Sequence, residues 1–371
     1  MRRDHSHFAR ITRIIWIALF LVLCLVPSLG MLIAGETQPS ANEILASRPE
    51  LILKNGKWNK RFFNGVSDYI ADRFAFRKQL VNAWSDLNSR FFRTSVEEQV
   101  ILGTNGWLYY EPTVDDYMGR AMSEDELELA AAYLAALQNE VESRGARFFF
   151  TIAPNKNSLY GEHMPSYIPR DHGSSNAEKI KPYLERYGVK YIDLFPVFSE
   201  REQTLYYQTD SHWTDRGAAL AADTLLDAMG KGTSFFSGAF HPDEPHRGDL
   251  YEMLYPTGSV MEEREVFAPG FSFKLANDPN GGNALRIRSE CDGQSGTLLC
   301  WRDSFGISLY PYLAENFATS VFLRSATYDP EEIDKSGADT VLVELVERNL
   351  SQLAAAGLKN TADQRGVNDH A

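Results

Sequence analysis

Leu298-Leu299-Cys300-Trp301-Arg302-Asp303-Ser304-Phe305-Gly306 reads as an apolar strand that runs into a polar turn. A helix follows, with Leu309, Tyr312 and Leu313 on one side. A strand without alternation is buried on both faces, which points to a parallel sheet covered by helices. The polar turn then falls at the carboxyl end of a strand, where such folds gather reactive groups. A serine at a strand-to-helix turn exposes its hydroxyl, and its own backbone N–H can face a developing oxyanion. The competing reading of Asp303 and Ser304 is a helix N-cap.

Outward from this stretch the same rhythm recurs. Apolar strands are expected at Phe148 to Ala153, Val189 to Leu194, Ser320 to Leu323 and Thr340 to Leu345, and a short one at Gln99 to Leu102 before the turn Gly103-Thr104-Asn105-Gly106. Ser123 and Glu126 form a capping box for a helix whose apolar face is Leu127, Ala130, Ala131, Leu134, Leu137 and Val141. Further helices carry Ile180, Tyr183, Leu184 and Tyr187, or run from Thr214 to Met229. The expected class is therefore α/β, a mostly parallel sheet flanked by helices. Residues 231–296 interrupt the rhythm with Gly, Pro and short alternating runs, which predicts a β-rich insertion near the site.

A second stretch bears chemistry: Gln208-Thr209-Asp210-Ser211-His212-Trp213-Thr214, just before a helix that Thr214 or Asp215 could cap. An Asp two residues from a His can accept the imidazole's Nδ1 proton, which leaves Nε2 free as a base. Asp-x-His is short and common, and a capping Asp beside a surface His would look the same. Together with Ser304, the two stretches supply nucleophile, base and orienting acid.

Several blocks, taken in order, carry a family resemblance: ADRFAFRKQL, ILGTNGWLYY, APNKNSLYGEHMP, QTDSHWT, RDSFG and ELVERNL, over about residues 60 to 350. The chain resembles the AlgJ/AlgX group of polysaccharide O-acetylation proteins and the related DHHW proteins, whose catalytic domain is SGNH hydrolase-like. The resemblance implies a catalytic triad of Asp210, His212 and Ser304, in an order reversed from ordinary SGNH hydrolases. It implies acetyl transfer to an exopolysaccharide or envelope glycan without a cofactor, the donor reaching the site through a membrane-bound O-acyltransferase partner. Esterase action on the same triad, or a non-catalytic scaffold, are the competing readings. Arg302 stands where the common SGNH block has Gly. No separate carbohydrate-binding module follows the catalytic stretch, which makes the chain more like AlgJ.

Lesser candidates surround the triad. Asn155 and Lys156 could donate to an oxyanion or a sugar hydroxyl, and Tyr310 could add an oxyanion contact. Trp107 and Trp213 could stack on sugar rings, although buried packing suits them equally. Glu344, Glu347 and Arg348 read as a structural ion pair. His241 and His246 lack a cysteine partner and read as solvated loop residues, so no metal site is expected.

The N-terminus sets the topology. Ile14 to Ala34 contains no charged side chain, and 21 residues at about 1.5 Å rise suffice to cross a bilayer core. Arg2, Arg3, Arg10 and Arg13 precede it and Glu36 follows, which places the rest outside the cytoplasm. An uncleaved single-pass anchor in the cytoplasmic membrane is expected, with a cleaved signal peptide as the alternative. The expected divisions are a stub and anchor at 1–35, a linker at 36–55, a catalytic domain at 56–355 and a polar tail at 356–371. In an oxidising compartment Cys291 and Cys300 could bridge across the turn DGQSG. The net charge of −13 and the lack of a basic face argue against nucleic acid as a partner.

Overall fold

Strands that lack alternation need apolar neighbours on both faces, and the main sheet supplies them. The structure, a computed structural model, describes residues 2–34, 45–92, 94–120, 122–170, 175–276, 284–325 and 327–358. The chain divides into two units, residues 1–97 with 251–259 and residues 98–250 with 260–371. In the first, helices Phe62–Arg73 and Arg77–Phe91 are joined through Phe76 in a left-handed conformation. Tyr255 and Thr257 bond to Ser89 and Asn82 of the second helix.

The second unit holds the strands β1 Val100–Leu102, β2 Leu108–Tyr110, β3 Arg147–Ala153, β4 Tyr191–Asp193, β5 Phe240–Pro242, β6 Glu265–Phe267, β7 Lys274–Leu275, β8 Arg286–Glu290, β9 Thr297–Arg302, β10 Thr319–Arg324 and β11 Thr340–Val346. Seven form one sheet in the order β4-β3-β11-β9-β10-β8-β7. Neighbours from β4 to β10 are parallel, with Val343 opposite Trp301 on one side and Phe150 on the other. One face, with Phe148, Phe150, Leu299, Trp301, Val341 and Val343, packs on helices Glu124–Ser143 and Asn176–Arg186. The other, with Leu298, Cys300, Phe322 and Leu342, packs on helices Asp215–Ala228 and Gly306–Ala314. Ser123 caps the first of these helices with the expected reciprocal bonds to Glu126, and Thr214 caps the third.

Three expectations are corrected. The sheet is mixed rather than mostly parallel, because β8 and β7 add antiparallel strands at one edge. β8 alternates exposed and buried positions, as an antiparallel strand wetted on one face does. Both strands arise from the 231–296 segment, so part of the expected insertion belongs to the main sheet.

Cys291 and Cys300 are both buried free thiols. Cys300 lies opposite Phe322 in β10, whereas Cys291 follows β8 and bonds to Ala318 beyond the other end of β10. An intervening strand, at about 4.8 Å per strand spacing, and the offset along it exceed the reach of a disulfide.

The expected single-pass anchor is not borne out. Its residues lie in helix Arg2–Ala34, yet among the described residues no helix is long and apolar enough to cross a membrane. The 21-residue run counted Cys24 and Pro27, whose side chains fall outside the described residues. The first part of the expected linker, residues 36–44, and most of the polar tail also lie outside them.

Candidate functional site

β9 is ruled on both sides by strands, so its end at Arg302 is fixed, and Ser304 sits two residues beyond it. Asp303 shapes the turn. One carboxylate oxygen accepts the N–H of Phe305 at 2.9 Å, and the other accepts the N–H of Val346 at 2.7 Å and the Asn349 amide at 3.1 Å. The turn that bears Ser304 is thereby tied to the end of β11. Phe305 is wholly buried, and a Cβ at Gly306 would collide with the Arg302 side chain, so the turn is closed by packing as well. Among the described residues the backbone N–H of Ser304 has no acceptor.

The structure brings the two sequence blocks together. Ser304 Oγ lies 2.9 Å from His212 Nε2, and His212 Nδ1 lies 2.7 Å from Asp210 Oδ1. An ionised Asp only accepts, so Nδ1 carries the proton and Nε2 is free to take that of Ser304. Asp210 Oδ1 also accepts the backbone N–H of His212 at 2.8 Å. Asp210 Oδ2 accepts from His246 Nε2 at 2.8 Å and from the Asp249 N–H at 2.9 Å. Burial would raise the Asp210 pKa, but the bonds and charges of His212 and His246 hold it well below the usual carboxylate value. Burial likewise opposes a charged His212, while the bond to Asp210 and the charges of Asp210 and Asp249 carry its pKa above the ordinary one. Arg348 acts in the opposite sense on His212.

The loop bearing Asp210 is held from two sides. Lys156, almost wholly buried, donates to the carbonyls of Tyr207, Gln208 and Asp210 at 3.2, 3.0 and 2.6 Å. Burial pushes its pKa down to about 8, against the pull of Asp210, Asp249 and Glu262. From the other side, Glu262 accepts the N–H of Gln208 at 2.7 Å, that of Thr209 at 2.8 Å, and the Thr209 hydroxyl. Asp249 accepts the N–H and the hydroxyl of Ser211 at 2.7 and 2.6 Å. Asp210, His212 and Asp249 offer ligand-type atoms within 4.8 Å of one another. These atoms already serve the hydrogen bonds just given.

The lesser candidates take other places. Asn155 is buried, its N–H bonded to Glu347 and its amide reaching Asp116 at 3.4 Å. Lys156 spends its protons on the loop. Trp213 is buried, donating to Phe305 O and Ser308 Oγ, and Trp107 is buried against His163 and Tyr160. Tyr310 packs on Phe273 and Phe322. Arg302, 2% exposed, donates to the carbonyls of Asp303 and Ala284. Glu344 accepts from Asp303 N, and Glu347 from Asn155 and Ser158; among the described residues no ion pair joins either to Arg348. Arg348 instead lies over the rings of Tyr110 and Phe305 at 5.3 and 5.4 Å. It lines a small cavity with Tyr110, Thr113, Lys156, Asn157 and Ser211.

His246, Asp249, Glu262 and Asp303 were missed as site residues by sequence reasoning. Asp303 was within reach, since an Asp directly before a turn serine commonly bonds the N–H two residues on. The other three come from the irregular segment, where spacing gives no clue to proximity.

Residues 100–266 match the family described as SGNH hydrolase-like domain, acetyltransferase AlgX. A protein of Pseudomonas syringae pv. tomato named probable alginate O-acetylase AlgJ is 26% identical over 300 residues, 76% of this chain and 71% of that one. Among solved structures, Bacillus cereus PatB1 with a sulfonyl adduct aligns with a TM-score of 0.54 at 19% identity, covering 68% of this chain and 97% of that one. A DHHW family protein from Eubacterium siraeum aligns with a TM-score of 0.51 at 16% identity, covering 70% and 98%. These two likenesses show the fold. The resemblance to the AlgJ/AlgX group, with its SGNH hydrolase-like domain, is shown by the family match and the curated relatives.

Proposed function

We propose that this AlgJ/AlgX-like chain is an O-acetyltransferase that uses Ser304 as nucleophile, His212 as general base and acid, and Asp210 as the orienting carboxylate. The observation that carries the reading is the continuous hydrogen-bonded line from Asp210 through His212 to Ser304. His212 Nε2 takes the Ser304 proton as Oγ bonds to the acetyl carbonyl carbon of the donor. The tetrahedral oxyanion is met by the unengaged N–H of Ser304. Collapse expels the donor's alcohol or thiol, which takes the proton back from His212 and leaves acetyl on Ser304. A sugar hydroxyl then gives its proton to His212, bonds to the acetyl carbon and releases Ser304 Oγ, which recovers the proton.

The name of the curated relatives, alginate O-acetylase, supports a polysaccharide acceptor. Basic residues ahead of the apolar run at 14–34 also fit an export signal, which supports an acceptor outside the cytoplasm, in the periplasm. There the acetyl group has to be delivered, and a membrane-bound O-acyltransferase is the class of partner that would supply it. The test is product analysis with p-nitrophenyl acetate as donor, with and without an oligosaccharide. Acetylated oligosaccharide is expected from the native chain and none from Ser304→Ala. Acetate alone in both arms would make the enzyme an esterase, and acetyl transfer by Ser304→Ala at the native rate would remove the triad.

A further inference from the structure

His212 Nδ1 has more than one acceptor within reach. Besides Asp210 Oδ1 at 2.7 Å, Ser211 Oγ lies at 3.2 Å and Asp249 Oδ2 at 3.5 Å. Only the bond to Asp210 belongs to the line that ends at Ser304. The choice among these acceptors depends on the rotation of the Asp210 carboxylate about its last bond. With Oδ1 given to His212, the plane is set by whatever holds Oδ2, and that is His246 Nε2 with the Asp249 N–H.

His246 is itself placed with care. Its backbone pairs in both directions with Glu262, N–H to O at 2.8 Å and O to N–H at 2.7 Å, and its ring packs on Tyr207 with centroids 4.2 Å apart. Glu262 in turn holds the backbone of Gln208 and Thr209, immediately before Asp210. Two residues after His246, Gly248 has no room for a side chain, since a Cβ there would overlap the carbonyl of Thr209. The segment thus lies directly on the loop it serves.

We propose that His246 is a positioning residue for the acyl-transfer site: it holds Asp210 Oδ2 so that Oδ1, and not Asp249 or Ser211, orients His212. This rests on the triad reading of Asp210, His212 and Ser304. Two substitutions separate the hydrogen bond from the packing. His246→Gln keeps an N–H donor near the Nε2 position and loses the ring, whereas His246→Phe keeps the ring on Tyr207 and loses the donor. Both are compared with the native chain in p-nitrophenyl acetate turnover, with thermal midpoints recorded to verify folding. The expected result is a fall of about tenfold in kcat for His246→Phe with KM within about twofold, and recovery to within about threefold of native for His246→Gln. A native kcat in His246→Phe, or equal loss in both variants, overturns the proposal. Ser304→Ala is run alongside: if it stays active the triad reading itself fails, and if it is inactive while His246→Phe is native only the role of His246 fails.

Discussion

The two halves of the candidate site are built differently. Ser304 is set by the sheet: a strand paired on both sides, a buried Phe305 and a single aspartate that ties the turn to β11. Asp210 and His212 stand on a loop outside the main sheet. Its backbone is tied by the bridge of Tyr206 with Trp213 and by the Leu108 N–H on the Gln208 carbonyl, and side chains complete the hold, Lys156 from the end of β3 and His246, Asp249 and Glu262 from the irregular segment. The difference teaches where precision comes from. Ser304 inherits its position from the core, whereas Asp210 and His212 depend in good part on side-chain hydrogen bonds that individual substitutions can remove. Changes around Ser304 should therefore register mainly in stability, and changes around Asp210 mainly in turnover.

Asp210→Asn gives the largest expected effect. The amide cannot accept as a carboxylate does and can set His212 in the wrong tautomer, so kcat should fall about 10³- to 10⁴-fold, out of proportion to the smaller drop in thermal midpoint that loss of the buried carboxylate brings. A midpoint drop as severe as that of a core substitution would break the contrast. Asp303→Ala, on the sheet-set half, removes the acceptor of the Phe305 and Val346 N–H groups. A loss of about 2–3 kcal/mol is expected in urea unfolding, accompanied by lower activity. Glu262→Ala deprives two backbone N–H groups near the surface and should cost only about 1 kcal/mol while lowering kcat severalfold. If it destabilised more than Asp303→Ala, the two halves would not differ as described.

The pH response is smaller. The imidazole works as a base when neutral, and Asp210 and Asp249 hold its pKa above the ordinary value despite burial. The rate of ester turnover should then rise with pH through a midpoint above about 6.5, and Asp249→Asn should move that midpoint down. For stability the signs are opposite. The raised His212 contributes below its unfolded pKa and loses that contribution as pH rises through its folded one. Asp210, with its pKa lowered, contributes above the ordinary carboxylate value and loses it as pH falls through its folded one.

What was legible in the sequence follows the same divide. Thr297 to Arg302 and Thr340 to Val346 are apolar at their buried positions save Arg302, Thr340 and Glu344, so their strands and the covered sheet could be read directly. The Asp-x-His and Asp-Ser-Phe stretches were recognisable because their neighbours in sequence are also their neighbours in the turn. β8 was not placed in the sheet, since its alternation suits any hairpin and its partner β10 lies about 30 residues on. His246 looked like a solvated loop residue because its meaning depends on Asp210, 36 residues earlier. The cysteine pairing failed for a related reason: closeness in sequence across a turn says nothing about which strand comes between.

Those two thiols have a practical consequence. Burial drives the Cys300 thiol well away from the thiolate, and Cys291 is enclosed beside Ser272 and the carbonyl of Glu315. Neither is waiting for an oxidant. Ladders and packed faces hold the sheet with both thiols free, so a thiol oxidase has nothing to add at these positions. A cytoplasmic host with its reducing pool intact should yield the same folded catalytic unit as an export host.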